Sequence, residues 1–272
     1  MKYSVIMTVY IKDKPEWFRQ AAESMLRQTI IPDEFLLIED GPITSLLTKE
    51  IDDLIKNNKT NTRIIIDSLS SNMGAGPARQ RGVELASNEH LAFLDADDIS
   101  INNRIEKQMN VMNEKEVDFV GSNVYEFKDF IDNIVSTVIM PEKNEDIVRF
   151  AKKRCPARQS GSFVKKTSII NAGGYVDSPL TEDWHLYIRM MKNNSRFFNI
   201  QECLTYVRVG DDFYSRRGGI KYLRKIISFK KWLLNVGYIN NIEYLKTSFP
   251  SIIVCLMPNS LRDFVYRKLL RN

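Results

Sequence analysis

Along the first hundred residues, short apolar runs alternate with longer segments in which apolar side chains recur every three or four positions. Residues 4–9, 35–38, 63–66 and 90–94 are apolar runs of strand length, as expected for strands covered on both faces. Between them, residues 16–28 place Phe18, Ala22, Met25 and Leu26 on one helical stripe, and Leu47, Ile51, Leu54 and Ile55 form the next. Pro15 suits the first turn of a helix and Pro32 the stretch after its end. The alternation predicts successive βαβ units on a parallel sheet.

After Asp98 the texture changes. A helix is expected over about 103–114, a strand over 117–120, and a hairpin around Asp132-Asn133, so the sheet becomes mixed. Residues 160–165 read as a strand and 167–172 as a short helix stopped by Gly173-Gly174. Residues 182–194 are again helical, with Trp184, Tyr187, Ile188 and Met191 on one face. No repeat or Pro/Gly/Ser linker divides the chain before about residue 215. The expected organisation is an α/β domain over 1–214, with halves of about 1–100 and 101–214, and a helical tail over 215–272.

Charge sharpens that division. The 272 residues carry 39 Lys/Arg and 34 Asp/Glu, a formal +5, yet residues 215–272 hold 12 basic and 2 acidic residues while 1–214 hold 27 and 32. An acidic body with a basic tail points to an anionic partner. In the tail, Tyr222, Ile226, Phe229, Leu233 and Val236 recur at helical spacing opposite Lys221, Arg224, Lys225 and Lys231, and residues 261–270 repeat the theme. Such helices can lie on an anionic membrane surface or dock on the body or a second subunit. No nucleic-acid motif accompanies them.

The inventory excludes other chemistries. Two histidines cannot build a His-rich metal centre, and Cys155, Cys203 and Cys255 are too few and too scattered for a disulfide framework or a zinc site, which suits a reducing, cytoplasmic compartment. The N-terminal apolar run lacks a small-residue cleavage site and reads as a buried strand rather than a signal peptide. No apolar stretch approaches the ~20 residues of a membrane span.

Candidate chemistry gathers where the predicted strands end. Asp95-Ala96-Asp97-Asp98 sets three carboxylates just after the fourth strand, where open α/β sheets bind ligands. Such a cluster suits Mg²⁺ or Mn²⁺ bridging a nucleotide's phosphates, unless it is a solvated turn opening the next helix. Glu39-Asp40-Gly41 follows the second strand, and a loop bearing Gly74 and Gly76 follows the third, ahead of a helix carrying Arg79 and Arg81. Arg216-Arg217-Gly218-Gly219 is either a phosphate-clamping lid or the start of the tail helix.

The ordered motifs SVIMTVY, LLIEDGP, NMGAGPARQRGVELA, LAFLDADD, GSFVKKTSIINAGGY and TEDWHLYIRM resemble the family 2 glycosyltransferases of the GT-A fold, over roughly residues 3–191. EDGP and VRVGDDFYSRRGG resemble the bacterial exopolysaccharide, capsule and O-antigen branch. The resemblance implies that Thr8, Val9 and Tyr10 wrap the nucleotide base, with Thr8 standing where many members have Pro, and that Asp40 accepts a hydrogen bond from uracil. It implies that Arg79 faces the nucleotide, that Asp95, Asp97 and Asp98 serve the ribose and a divalent cation (metal ligands Asp97 and Asp98), and that Asp183 is the base of an inverting transfer. Arg216 and Arg217 would join the donor site. The donor would be a UDP-sugar, and the acceptor a bacterial surface glycan or lipid-linked saccharide, met at the inner face of the membrane. Sugar-phosphate nucleotidyltransfer and non-catalytic nucleotide-sugar binding are the alternatives. The first lacks support because no glycine-rich loop follows the first strand.

Overall fold

A computed structural model describes residues 1–178, 180–210, 218–258 and 262. The expected parallel strands form as β1 (Tyr3–Val9), β2 (Glu34–Glu39), β3 (Arg63–Ser68) and β4 (His90–Phe93), separated by α1 (Pro15–Leu26), α2 (Ser45–Asn57) and α3 (Ala75–Leu85). Pro15 opens α1, and the Thr44 hydroxyl caps α2 by accepting the Leu47 N–H. Alternate side chains of β1 serve opposite layers, as a two-residue period requires. Tyr3, Val5, Met7 and Val9 pack with α1, α2 and the later α4 (Arg104–Lys115), while Ile6 packs with α3 and the helices of the other face.

The rest of the sheet is mixed. β5 (Ile99–Ser100), β6 (Phe119–Phe127), β7 (Ile134–Val138), β8 (Phe163–Lys165) and β9 (Phe197–Arg208) complete the order β3-β2-β1-β4-β8-β6-β9-β5, with β7 also on β6. β6 and β7 are antiparallel around residues 128–133, the expected hairpin. Gly173 and Gly174 end α6 (Lys166–Asn171) in the left-handed region. Because β2 and β4 flank β1, the chain leaves β1 in one direction and returns on the other side, so the loops after β1 and β4 diverge and open a crevice.

Besides the two-residue β5, three elements escape the sequence pattern. β9 is twelve residues long, but Asn199, Gln201 and Glu202 interrupt its apolar run where its register with β6 shifts. α5 (Asn144–Ala151) buries only Ile147 and Ala151. α9 (Asn241–Leu256) begins with a capping box between Asn240 and Glu243.

The tail's apolar stripe does not face outward. In α8 (Gly219–Asn235), Ile226, Phe229 and Leu233 are buried, and Phe229 and Leu233 cluster with Trp184 and Ile188 of α7 (Glu182–Lys192). The Trp184 and Phe229 rings lie 4.4 Å apart, and the Trp184 indole donates to the Ala151 carbonyl. Helical spacing showed that this stripe would be buried; the body, not lipid, buries it. Among the described residues no helix is long and apolar enough to cross a membrane.

Candidate active site

The ends of β1, β2 and β4 meet the start of α7 at the crevice. The β1 loop folds back on itself: the Tyr10 N–H donates to Asp13 Oδ2 (2.9 Å), and the Asp13 N–H to the Tyr10 carbonyl. Tyr10 is exposed and Thr8 half-buried, but the Val9 side chain belongs to the core and its carbonyl accepts the Asp40 N–H. Asp40 is buried, and its carboxylate takes the N–H groups of Met73 (2.6 Å) and Gly74 (2.9 Å). It thereby fastens the loop before α3 to the end of β2. Gly41 (φ +82°) sits against that loop so closely that a Cβ would lie 2.5 Å from the Asn72 nitrogen.

Arg79 is the bridge of the site. Buried, it donates from Nη2 to Asp95 Oδ1 (2.9 Å) and from Nη1 to Glu182 Oε1 (3.1 Å). Burial alone would disfavour its charge, but Asp95 and Glu182 outweigh that cost and hold the guanidinium protonated. Arg81 instead makes a two-toothed pair with Asp67, away from this network.

The Asp95–Asp98 turn divides its carboxylates. Asp95 and Asp97 are half-buried at the crevice, whereas Asp98 is turned inward, where its Oδ1 accepts the Arg208 N–H at 2.8 Å and the Ser160 side chain also reaches it. Burial, then the charges of Asp97 and Asp95, push the Asp98 carboxyl up. Arg208 at the end of β9 extends the anchor: Nε donates to the Asp97 carbonyl, Nη1 to the Asp129 carbonyl and Nη2 to Gln20 Oε1, with the guanidinium over Trp17 and Phe127. Asp13 joins the acidic cluster too. Burial raises its carboxyl to about 7, with Asp97 and Asp95 adding to the effect.

Asp183 stands in the first turn of α7. Its Oδ1 accepts the Trp184 N–H (2.7 Å) and its Oδ2 the Cys155 thiol (3.5 Å). Burial first, then the neighbouring Glu182, raises its carboxyl to about 6, against the lowering influence of Arg79. Such a group is ionised at neutral pH yet basic enough to take a proton. Glu182 keeps Oε2 buried without a hydrogen-bond partner among the described residues.

Contacts and charges link Tyr10 through Asp13 to Asp95 and Asp97, and Arg79 to Asp95 and Asp183, while Asp40 fastens the loop ahead of α3, Thr8 is half-buried, and Val9 and Asp98 go into structural contacts. Arg216 and Arg217 lie outside the described residues. Sequence reasoning missed Asp13, Glu182's pairing with Arg79, and Arg208. The last two had signals in the Glu182-Asp183 pair and the VRVG stretch, but nothing local names their partners.

A family model for glycosyl transferase family 2 matches residues 4–175. The chain belongs to glycosyl transferase family 2. Relatives named as glycosyltransferases resemble it over nearly its whole length. It is 32% identical over 99% of its length, and 97% of the relative's, to the UDP-Gal:alpha-D-GlcNAc-diphosphoundecaprenol beta-1,3-galactosyltransferase of Escherichia coli. It is 30% identical over 98% of each chain to the amylovoran biosynthesis glycosyltransferase AmsE of Erwinia amylovora. In structure, 98% of the chain aligns with 72% of Staphylococcus aureus TarS 1–349 in complex with UDP-GlcNAc, at a TM-score of 0.64 and 13% identity, which establishes the GT-A fold. The protein is therefore a glycosyltransferase enzyme, and the two alternative functions are set aside.

Proposed function

We propose that this chain transfers a hexose from a UDP-sugar to a hydroxyl of a saccharide carried on a polyprenyl diphosphate, with inversion at the anomeric carbon. The carrying observation is Arg79: one guanidinium joins Asp95, at the turn suited to the donor's diphosphate, to Glu182, beside the candidate base. The E. coli relative's donor and acceptor suggest the substrate classes.

Asp183 takes the proton of the attacking hydroxyl, a role its raised carboxyl suits. With one base and no protein nucleophile, attack comes from the face opposite the leaving diphosphate and inverts the centre. Tyr10 and the Asp40-fastened loop border the base of the nucleotide. Since Asp40 already takes two backbone N–H groups, it meets uracil only through its remaining lone pairs.

A divalent cation fits the donor set. Asp95 and Asp97 are hard carboxylate oxygen donors in a cluster whose charges raise Asp13, but no three acidic, His or Cys groups converge as a ready cage among the described residues. One or two carboxylates plus substrate phosphates is the usual way such sites hold Mg²⁺. Asp97 would hold the ion, Asp98 would hold the turn, and the ion would stabilise charge on the departing diphosphate.

The deciding experiment incubates the enzyme with a panel of UDP-hexoses and a GlcNAc-diphospho-lipid acceptor, and reads the product's anomeric configuration by NMR. Inverted product is expected. Retained configuration, or release of UMP with transfer of sugar 1-phosphate in place of UDP, would overturn the reading.

A further inference from the structure

α8 and α9 pack as a hairpin whose inner contact uses one face of each helix, and the opposite side is left open. There Ile220, Leu223 and Ile227 of α8 and Leu245, Phe249 and Ile252 of α9 line a groove of about 740 Å³. The spacing puts each trio on one helical face. These are not scattered surface apolars: Ile220, Leu245 and Phe249 are 61%, 66% and 67% exposed, and Ile253 and Leu256 continue the patch along α9. Arg224 and Lys231, one heptad apart on α8, line the same groove.

We propose that this groove and the exposed face of α9 are the surface by which the enzyme sits on an anionic lipid bilayer. Charge selects the occupant. α8 and α9 together hold six Lys/Arg, of which Lys230 is buried, and one Asp/Glu, so an interface between two copies at this groove would gather Arg224 and Lys231 of both with little acidic charge to offset them. A negatively charged interface meets them favourably, and their aliphatic stems lie along the apolar surface while the charged heads reach phosphates. A bilayer also accounts for Ile253 and Leu256, which a single acyl chain bound in the groove would leave uncovered. The surface differs from the expected one: Phe229 and Leu233 of the expected stripe are spent on α7, and residues of α9 take their place.

The inference does not rest on the transfer chemistry. Full-length protein is co-sedimented with phosphatidylcholine vesicles, with and without phosphatidylglycerol, across a salt series, alongside sedimentation equilibrium and UDP-sugar binding. Binding should need the anionic lipid and weaken as salt rises. Arg224→Gln with Lys231→Gln should weaken it roughly 30-fold. Leu245→Ser with Phe249→Ser should weaken it at least about tenfold even at low salt, because the apolar contact is lost. Both pairs should bind UDP-sugar as the parent does, which shows that they fold. Unchanged vesicle binding in both pairs would overturn the proposal. So would a dimer that the serine pair dissolves while vesicle binding persists, which would make the groove a subunit interface. Failure of the transferase reading would appear separately, as absent UDP-sugar binding in the parent.

Discussion

Arg208 donates its backbone N–H to the Asp98 carboxylate at 2.8 Å, joining the end of β9 to a turn 110 residues earlier. The side chain of the same arginine holds the Asp97 carbonyl, the Asp129 carbonyl and Gln20. A carboxylate turn of like charges does not hold its own shape, and here one residue braces it from three directions.

Arg208→Ala should therefore cost about 2–4 kcal/mol, since it removes charge-assisted hydrogen bonds and two ring contacts at once. Thermal denaturation should show a drop of roughly 5–10 °C in Tm. Arg208→Lys should recover little, because an ammonium cannot serve the same fork of acceptors. Wild-type-like stability and donor binding in the alanine variant would show that the turn is set elsewhere.

Arg79→Met keeps the volume and removes the charge. Glu182 and Asp95 then lose their common partner, and Glu182, with its side chain 15% exposed, is the more costly to leave. A loss of about 3 kcal/mol is expected, at the low end for breaking a buried pair because Asp95 retains water. Isothermal titration should also show weaker UDP-sugar binding. If only stability falls, Arg79 is a brace and not a donor contact.

The pH dependence follows from Asp183. Its carboxyl must be ionised to accept a proton and its folded value is raised to about 6, so kcat/KM should fall as pH drops through about 6. Glu182→Gln removes the like charge that helps raise it, so the acid limb should move to lower pH. Asp183→Asn should lower kcat roughly 10²–10⁴-fold with donor affinity little changed. Because the raised group costs stability once ionised, with the penalty growing as pH rises from about 4 to 6, that variant should be at least as stable as the parent at pH 7. An unmoved acid limb in Glu182→Gln would assign that limb to another group.

Chelation should abolish transfer, and Mn²⁺ or Mg²⁺ should restore it. Asp97→Asn should reduce turnover sharply while leaving Tm nearly unchanged, because its carboxylate lies at the crevice and not in the core. Asp98→Asn should keep Tm at or above the parent's, because the amide oxygen still accepts the Arg208 N–H and the ionised form that burial, Asp97 and Asp95 oppose is gone, whereas Asp98→Ala, which removes the acceptor, should lower Tm. Full activity in excess EDTA would remove the cation from the mechanism.

The sequence by itself determined the parallel half of the sheet, the hairpin around Asp132-Asn133, the glycine stop at Gly173-Gly174 and the positions of the Asp95–Asp98 turn and the Glu182-Asp183 pair. These are local facts: strand and helix periods are written in neighbouring residues, and acidic residues announce themselves by type. Tertiary structure alone decided which carboxylate faces the crevice and which faces Arg208, that Asp13 sits beside Asp95 and Asp97, and that Arg79 spans 103 residues to reach Glu182. It also decided that the stripe of α8 meets Trp184 and Ile188 while Phe249 stays exposed. A helical period shows that a face wants burial but cannot say against what, because that partner is chosen by packing between segments far apart in the chain.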